Sequence, residues 1–168
     1  MIGEIFKIAF RFLFLVVLQL LVLNNVQWSG YLNPYLYVLF ILMLPFETPN
    51  WILIILSFLL GFTIDSFSNT WGMHSAACVL TGFIRPYLLK LISPREGYDN
   101  ASKPIIRDFG LEWIIKYSLI LIFIHHFALF YIEVFKFSLF FHTLLRVTLS
   151  SLFTFTLVII SHFIIYKR

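Results

Sequence analysis

Charged residues are scarce in this chain. Only 12% of its 168 residues are charged, whereas 61% are hydrophobic and the mean hydropathy is +0.95. A soluble domain carries about 25% charged residues, so this composition cannot keep a large surface in contact with water. The scarcity of charge excludes a soluble globular domain and predicts an integral membrane protein.

Cysteine and catalytic signatures are also scarce. Cys78 is the single cysteine, which excludes an intramolecular disulfide framework and a cysteine-based metal site. There is no Gly-x-Ser-x-Gly, no pair of carboxylates at a useful spacing, no phosphate loop and no nucleotide-binding fingerprint. We therefore expect a protein that is not an enzyme and that binds no cofactor and no metal.

Nucleic acid is not indicated as a partner, although the net charge is +4. A nucleic-acid surface needs a basic stripe with stacking aromatic residues. Here the basic residues form no such stripe, and the 21 phenylalanines lie inside apolar runs. Membrane lipid is the expected environment of those runs.

The chain does contain long, continuous apolar runs. Spanning β-strands would instead show alternation over about ten residues, so the runs predict an all-α integral membrane protein. We predict one polytopic domain over residues 1–168 with six transmembrane helices, at about 5–26, 34–46, 51–67, 71–92, 111–131 and 139–166. The second is short, because a spanning helix needs about 20 residues.

The distribution of lysine and arginine supports six helices. With the N-terminus in the cytoplasm, ten of the 12 basic residues lie on the cytoplasmic side, and Lys136 and Arg146 lie outside. Merging the first two helices would weaken this asymmetry. The positive-inside rule therefore predicts cytoplasmic N and C termini, and it places the hydrophilic segment 93–110 in the cytoplasm.

A polar joint interrupts the apolar residues between 51 and 92, and Asp65 is its most informative residue. A carboxylate in a membrane segment is costly, which favours a partner contact, an ion pair or a proton-linked group. A solvated residue at a helix end is the alternative. We expect Asp65 to bond His74, and to bridge to Arg146 if helix six packs nearby.

Small residues flank the same joint. Ser57, Gly61 and Asp65 share one helical face, and Gly72 and Ala76 share another. Small-xxx-small faces let membrane helices approach closely. The helices on either side of the joint are therefore predicted to form a tight hairpin.

Helix six carries a polar stripe on one face, made of Thr143, Arg146, Ser150, Thr154 and Ser161. The stripe is either an internal or partner-facing surface, or a set of hydroxyls that bond their own i−4 carbonyls. The second alternative does not explain Arg146. We favour an internal polar face.

Two further groups are interpreted without a special function. His125 and His126 point to different sides of a helix, so a metal site with Glu133 and His142 is disfavoured. Arg85, near the end of helix four, is expected to extend towards lipid headgroups.

Asn33-Pro34 opens an apolar run that ends in Leu44-Pro45, and Gly61, Asp65 and, seven residues further on, Gly72 follow. This layout resembles that of the MreD family of the bacterial rod-shape (elongation) machinery. The family pattern is an Asn-Pro or Pro-Asn that opens an apolar helix ending in Leu-Pro, then Gly-x-x-x-Asp and a further glycine. Chain length, helix number and the basic segment after helix four also fit the family.

This resemblance implies a non-enzymatic scaffold of the bacterial inner membrane. Its partners would be the bitopic protein MreC, through it a cell-wall glycosyltransferase and transpeptidase pair, and the actin-like MreB filament. MreD is also similar in fold to the substrate-binding S components of energy-coupling-factor vitamin transporters. An S component is therefore the alternative function.

Overall fold

The structure is a computed structural model that describes residues 2–26, 32–95, 97–98 and 103–166. Part of the 93–110 segment lies outside these ranges. The C-terminal residues Lys167 and Arg168, which contribute to the predicted charge asymmetry, also lie outside them.

The described residues form five long helices and one short one. The helices are α1 (Ile2–Leu21), α2 (Leu39–Leu42), α3 (Asn50–Ser68), α4 (Met73–Leu91), α5 (Ile106–Val134) and α6 (Phe140–Tyr166). Short 3-10 turns lie at Leu23–Asn25, Leu36–Val38 and Phe137–Leu139. Gly110 kinks α5 through its non-helical backbone (φ 80°, ψ 169°).

Four of these helices are long and apolar enough to cross a membrane: Gly3–Asn25, Asn50–Ser68, Ile106–Val134 and Phe140–Ile164. The prediction of an all-α, multi-pass membrane protein is therefore confirmed at this level. The helix α4 is as long as α3, with 19 residues each. It is less apolar because its buried face includes His74, Thr81 and Arg85.

The predicted second helix, 34–46, is wrong in its extent. Residues 33–35 are not helical, and the helical part covers only 36–42. We call residues 33–44 the central segment, because Leu36–Leu44 are at most 7% exposed. Irregular backbone at membrane depth is tolerated where protein surrounds it, and that is the environment of this segment.

Side chains from α1 and α6 hydrogen-bond the first residues of the central segment. The bonds are Asn33 N–H to Ser150 Oγ (3.1 Å), Gln19 Nε2 to Pro34 O (2.9 Å) and Tyr35 N–H to Thr154 Oγ1 (3.0 Å). An unpaired buried backbone group costs about 1–3 kcal/mol. These three bonds remove that cost where no helix does so.

The carbonyl groups at the other end of the segment accept bonds from side chains of α1, α4 and α5. The donors are Tyr117 Oη to Leu42 O (2.9 Å), Arg11 Nη1 to Met43 O (2.8 Å) and Arg85 Nη2 to Leu44 O. Cations near the last carbonyls of a helix are favourable. Two arginines and a tyrosine thus hydrogen-bond the carbonyl groups at and just after the end of α2.

The expectation that Arg85 reaches towards headgroups is therefore wrong. Arg85 is 1% exposed, and its Nε also donates to Tyr117 Oη at 2.7 Å. The Leu44 carbonyl and the Tyr117 hydroxyl hold this side chain inside the bundle. Sequence position near a helix end could not reveal that neighbouring backbone.

The contacts define an up-and-down bundle. Two contacts along each pair give the direction. Arg11 contacts Met43 and Gln19 contacts Pro34, so α1 and the central segment are antiparallel. The pairs α3–α4, α4–α5 and α5–α6 are antiparallel by the same criterion. In this arrangement α1, α3 and α5 are parallel to one another, and the central segment, α4 and α6 run the opposite way. The helix α1 begins and α6 ends at the same end of the bundle.

The helices α3 and α4 approach closest at Gly61. A Cβ atom on Gly61 would lie 2.4 Å from Ser75 Cα and 2.6 Å from His74 O. One on Gly82 would lie 2.4 Å from Ser57 Oγ. Real Cβ atoms do not come this close to backbone atoms, so the close packing of α3 against α4 requires a residue without a Cβ atom at position 61.

The predicted packing role of Gly72 and Ala76 differs from the observed one. Ala76 is exposed, and the neighbouring Ala77 is buried instead. Gly72 has open space around it and a left-handed backbone (φ 81°) immediately before α4. Glycine adopts this conformation at little cost, so Gly72 shapes the turn and does not pack against α3.

We expect Gly61→Ala to lower the free energy of unfolding by about 2 kcal/mol, the usual cost of overpacking. The added methyl group would collide with the α4 backbone. Gly3→Ala is the matched control, because nothing lies within 4 Å of that position. Thermal unfolding in detergent measures both. Equal stability of the two variants would contradict the close approach at Gly61.

Candidate functional site: the polar core

Asp65 caps the N-terminus of α4 from its position in α3. Oδ1 accepts bonds from Thr70 Oγ1 (2.5 Å) and His74 N–H (3.1 Å), and Oδ2 accepts bonds from Ser75 N–H (2.8 Å) and Ser75 Oγ (2.6 Å). The first N–H groups of a helix have no partner within the helix. A carboxylate there also interacts favourably with the helix dipole. The carboxylate therefore joins the two helices of the hairpin.

The expected bond between Asp65 and His74 is confirmed, and it is made by the backbone N–H of His74 and not by the imidazole. The possible bridge to Arg146 does not form, because Arg146 Nη1 pairs with Glu133 Oε2 at 3.0 Å. The guanidinium of Arg146 also lies 4.1 Å from the ring centroid of Phe130. With its amide oxygen turned towards α6, Asn33 accepts from Arg146 Nη2 at 2.8 Å.

Tyr37 links two histidines in the middle of the bundle. Its hydroxyl lies 2.7 Å from His74 Nδ1 and 3.0 Å from His125 Nε2. The hydroxyl has one proton, so it donates to one imidazole and accepts from the other. Cys78 Sγ lies 3.8 Å from the same His125 nitrogen. The central segment is thus also held through the side chain of Tyr37.

His126 belongs to a second chain of bonds, in which each donor can be assigned. Thr154 Oγ1 accepts from Tyr35 N–H and lies 3.0 Å from His126 Nε2. His126 Nδ1 lies 2.8 Å from Ile122 O, which can only accept. In the neutral imidazole Nδ1 therefore carries the proton, and Nε2 accepts from the threonine hydroxyl.

The polar stripe of α6 divides into two groups. Ser150 and Thr154 are fully buried and bond the central segment, which places them on an internal face. Ser161 Oγ bonds its own Leu157 carbonyl at 2.8 Å. The stripe is therefore mostly a structural surface that faces the central segment.

The histidines considered for a metal site have separate surroundings. His125 contacts Tyr37, and His126 contacts Thr154. Glu133 pairs with Arg146, and His142 is exposed. These four residues do not converge on one point.

An aromatic cluster lies at the end of the bundle where α4 ends and α5 begins. Tyr98 stacks on Phe46, with 4.5 Å between ring centroids, and Trp113 stacks on Tyr117 at 4.8 Å. Tyr98 Oη donates to Leu89 O at 2.9 Å. Burial raises the pKa of the Tyr98 phenol further above its ordinary value. The cluster holds Tyr98 against the bundle.

Sequence analysis did not single out Tyr37 and Tyr117. Tyr37 lies in the central segment and bonds His74 and His125. Tyr117 lies in α5 and bonds Arg85 and Leu42 O. Both are at most 1% exposed. A tyrosine inside an apolar run is a usable signal, since a buried phenol nearly always has a hydrogen-bond partner. Its partner cannot be named from sequence, because it lies on another element.

The comparisons with known proteins give no family for this chain. No family model, no curated protein and no solved structure matches it. Its function must therefore be inferred from its own residues and their arrangement.

We expect Asp65→Ala to destabilise the protein by about 3 kcal/mol, because it removes a cap and leaves buried donors unpaired. Asp65→Asn keeps one acceptor oxygen and should lose less. Thermal unfolding in detergent gives the order. Thr63→Ala is the control, since that hydroxyl is exposed and bonds its own helix. An Asp65→Ala variant as stable as the control would contradict the capping role.

Thr154→Val should lower stability by about 2 kcal/mol, the cost of leaving buried polar groups unpaired. It keeps the shape but removes the bonds to Tyr35 N–H and His126. Thr156→Val on the same helix is the matched control, because that exposed hydroxyl bonds only Leu152 O. Comparable melting temperatures for both variants would show that the α6 stripe does not support the central segment.

Proposed function

We propose that this chain is a member of the MreD family. It is a non-enzymatic scaffold subunit of the cell-shape and elongation complex in the bacterial inner membrane. It binds an MreC-type partner and thereby supports peptidoglycan synthesis during lateral growth. The observation that carries this proposal is that the groups of the polar core hold the central segment and the hairpin. Because these groups have structural roles, we place the functional contacts on the outer surface.

The residues of the family pattern occupy positions where the backbone or a contact restricts which residue fits, and this supports the resemblance. Gly61 lies at the closest approach of α3 and α4, Asp65 caps α4, and Gly72 has a positive φ in the turn. Pro34 O accepts a bond at the start of the central segment, and Pro45 follows its last residue. Each element of the pattern thus has a physical reason to be where it is.

The proposal includes six crossings with both termini in the cytoplasm. Two observations support it: neighbouring elements alternate in direction, and ten of the 12 basic residues would lie on the cytoplasmic side. The central segment would be the second crossing. It is too short to span as a free helix, and it crosses within the bundle, surrounded by protein.

The vitamin-binding alternative requires space for a ligand between the helices on the outer side. The residues that converge there are Tyr35, Tyr37, His74 and His125, and they pack on one another with ring centroids 5.3–6.4 Å apart. The chain's own central segment occupies this position. This packing favours a scaffold over an S component.

The tip of the α3–α4 hairpin is the proposed docking element for the MreC-type partner. Trp71 is 99% exposed and Phe67 is 71% exposed at this tip. Large aromatic side chains are enriched among residues that dominate binding energy. Through this partner the complex would include the glycosyltransferase and transpeptidase pair. An MreB-type filament would act at the opposite, cytoplasmic end.

The test is recovery of the partner from native membranes by affinity purification of this chain. We expect an MreC-type protein to co-purify, and Trp71→Ala to reduce its recovery about fivefold, as loss of an interface aromatic residue does. Phe141→Ala is the matched control, since Phe141 is 83% exposed but lies in α6. Unfolding temperatures confirm that both variants are intact.

Two outcomes would count against the proposal. If no MreC-type protein co-purifies with the unaltered chain, the family assignment fails. If it co-purifies equally with the Trp71→Ala and Phe67→Ala variants, the hairpin tip is not the docking element.

A further inference from the structure

The exposed apolar side chains of α3 and α6 cover different lengths of the bundle. On α3 they run from Trp51 to Phe67, which is about 24 Å along the helix axis. On α6 they run from Phe141 to Ile164, which is about 35 Å. All four of these end residues are at least 65% exposed. The apolar surface is therefore about 10 Å shorter along α3 than along α6.

The difference lies at the end of the bundle that carries the α3–α4 turn, which we call the tip end. Cys78 of α4 contacts His125 of α5, and the adjacent His126 contacts Thr154 of α6, so these residues share one level. From this level α4 reaches about 8 Å towards the tip end, to its first residue, whereas α6 reaches about 21 Å to its own first residue. The helix α6 thus extends more than two turns beyond the start of α4.

The other ends of these helices lie at similar levels. From the same level α4 reaches about 20 Å to its last residue and α6 about 18 Å. The helix α3 follows α4, because Asp65 accepts a bond from Ser75 N–H near the start of α4. Counted along α3 and α6 in the same way, Trp51 and Ile164 differ in level by about 3 Å. The step is therefore confined to the tip end.

Neither apolar surface matches an ordinary bilayer. A hydrocarbon core is about 30 Å thick, so the surface of α3 is too short for it and that of α6 is too long. Two tryptophans bracket the short surface: Trp51 is 65% exposed and Trp71 is 99% exposed. Tryptophan is enriched at both membrane–water interfaces. These two residues favour a polar interface at each end of α3.

We propose that this protein thins the lipid bilayer along α3 and α4. At the tip end the lipid headgroups meet α3 near Phe67 and α6 near Phe141. The hydrocarbon beside α3 is then about 10 Å thinner than the hydrocarbon beside α6. This inference needs a membrane protein but not the scaffold function.

The turn of the hairpin favours thinning over immersion of the tip in hydrocarbon. Residues 69–72 are not helical, and Asn69, Trp71 and Gly72 are exposed. Lipid-exposed irregular backbone does not occur within hydrocarbon, because its N–H and C=O groups have no partners there. A bilayer adapts to a short apolar surface at a modest cost per Å. The hydrocarbon therefore ends below the turn on this side of the bundle.

A tilt of the whole bundle does not remove the step. The helix α3 packs against α4, α4 against α5 and α5 against α6, so these helices tilt together. A tilt divides the step between the two membrane surfaces. It leaves the difference of about 10 Å between the α3 side and the α6 side.

The test is the depth of spin labels at the ends of α3 and α6, in phosphatidylcholine bilayers with a hydrocarbon core of about 30 Å. Cys78→Ala removes the single, buried cysteine. Phe67→Cys or Phe141→Cys then supplies one labelling site. Collisions with oxygen, which dissolves in hydrocarbon, and with a water-soluble nickel complex give the depth. We expect both labels at the polar interface, with depths equal to within about 3 Å, less than one helical turn.

Trp51→Cys and Ile164→Cys are the matched controls at the other ends of the same two surfaces. Their labels should also lie at the polar interface, because the step does not reach that end of the bundle. Melting temperatures in detergent identify the folded variants. If Phe67→Cys does not fold, Ser66→Cys replaces it, since Ser66 is the exposed neighbour and its hydroxyl bonds only its own helix.

Three results would overturn the proposal. A Phe67 label about 10 Å deeper than the Phe141 label would show a bilayer of uniform thickness. A Phe141 label in water, with the Phe67 label at the interface, would show the same. A Phe67 label shielded from both oxygen and nickel would show that protein covers α3 in place of lipid.

Discussion

The structure depends on one constraint: backbone groups in the interior of a membrane protein must be hydrogen-bonded there. The central segment, 33–44, has only seven residues in helical conformation, at 36–42. Its remaining N–H and C=O groups need other partners. Six side chains supply them: Gln19, Ser150, Thr154, Arg11, Arg85 and Tyr117. They come from α1, α4, α5 and α6, so this requirement joins most of the bundle.

The same constraint explains why this core is rich in polar residues. A buried arginine, a tyrosine between two histidines and a carboxylate at a helix junction would suggest catalysis or transport in a larger cavity. Here Arg85 bonds a carbonyl, Tyr37 bonds His74 and His125, and Asp65 caps a helix. Each of these three groups has a structural partner. These groups are therefore part of the structure, and the proposed scaffold role accordingly places the functional contacts on the surface.

Local sequence predicted what depends on neighbours along the chain. The hairpin followed from two apolar runs and a short polar joint, and its tight packing followed from small residues four apart. The spacing alone did not identify which small residues face the other helix of the hairpin: Gly61 does, whereas Ala76 is exposed. A phase error of one residue is enough to cause this difference, because each residue turns the helix by about 100°.

By itself the sequence determined the class of protein, since 12% charge in long apolar runs leaves no alternative to a helical membrane protein. It also determined the approximate positions of the five long helices. Only the tertiary structure decided that residues 34–46 are not one helix and that Arg85 is buried. The physical reason is that both outcomes depend on hydrogen-bond partners 15 to 119 residues away in the chain. Local hydrophobic pattern carries no information about such partners.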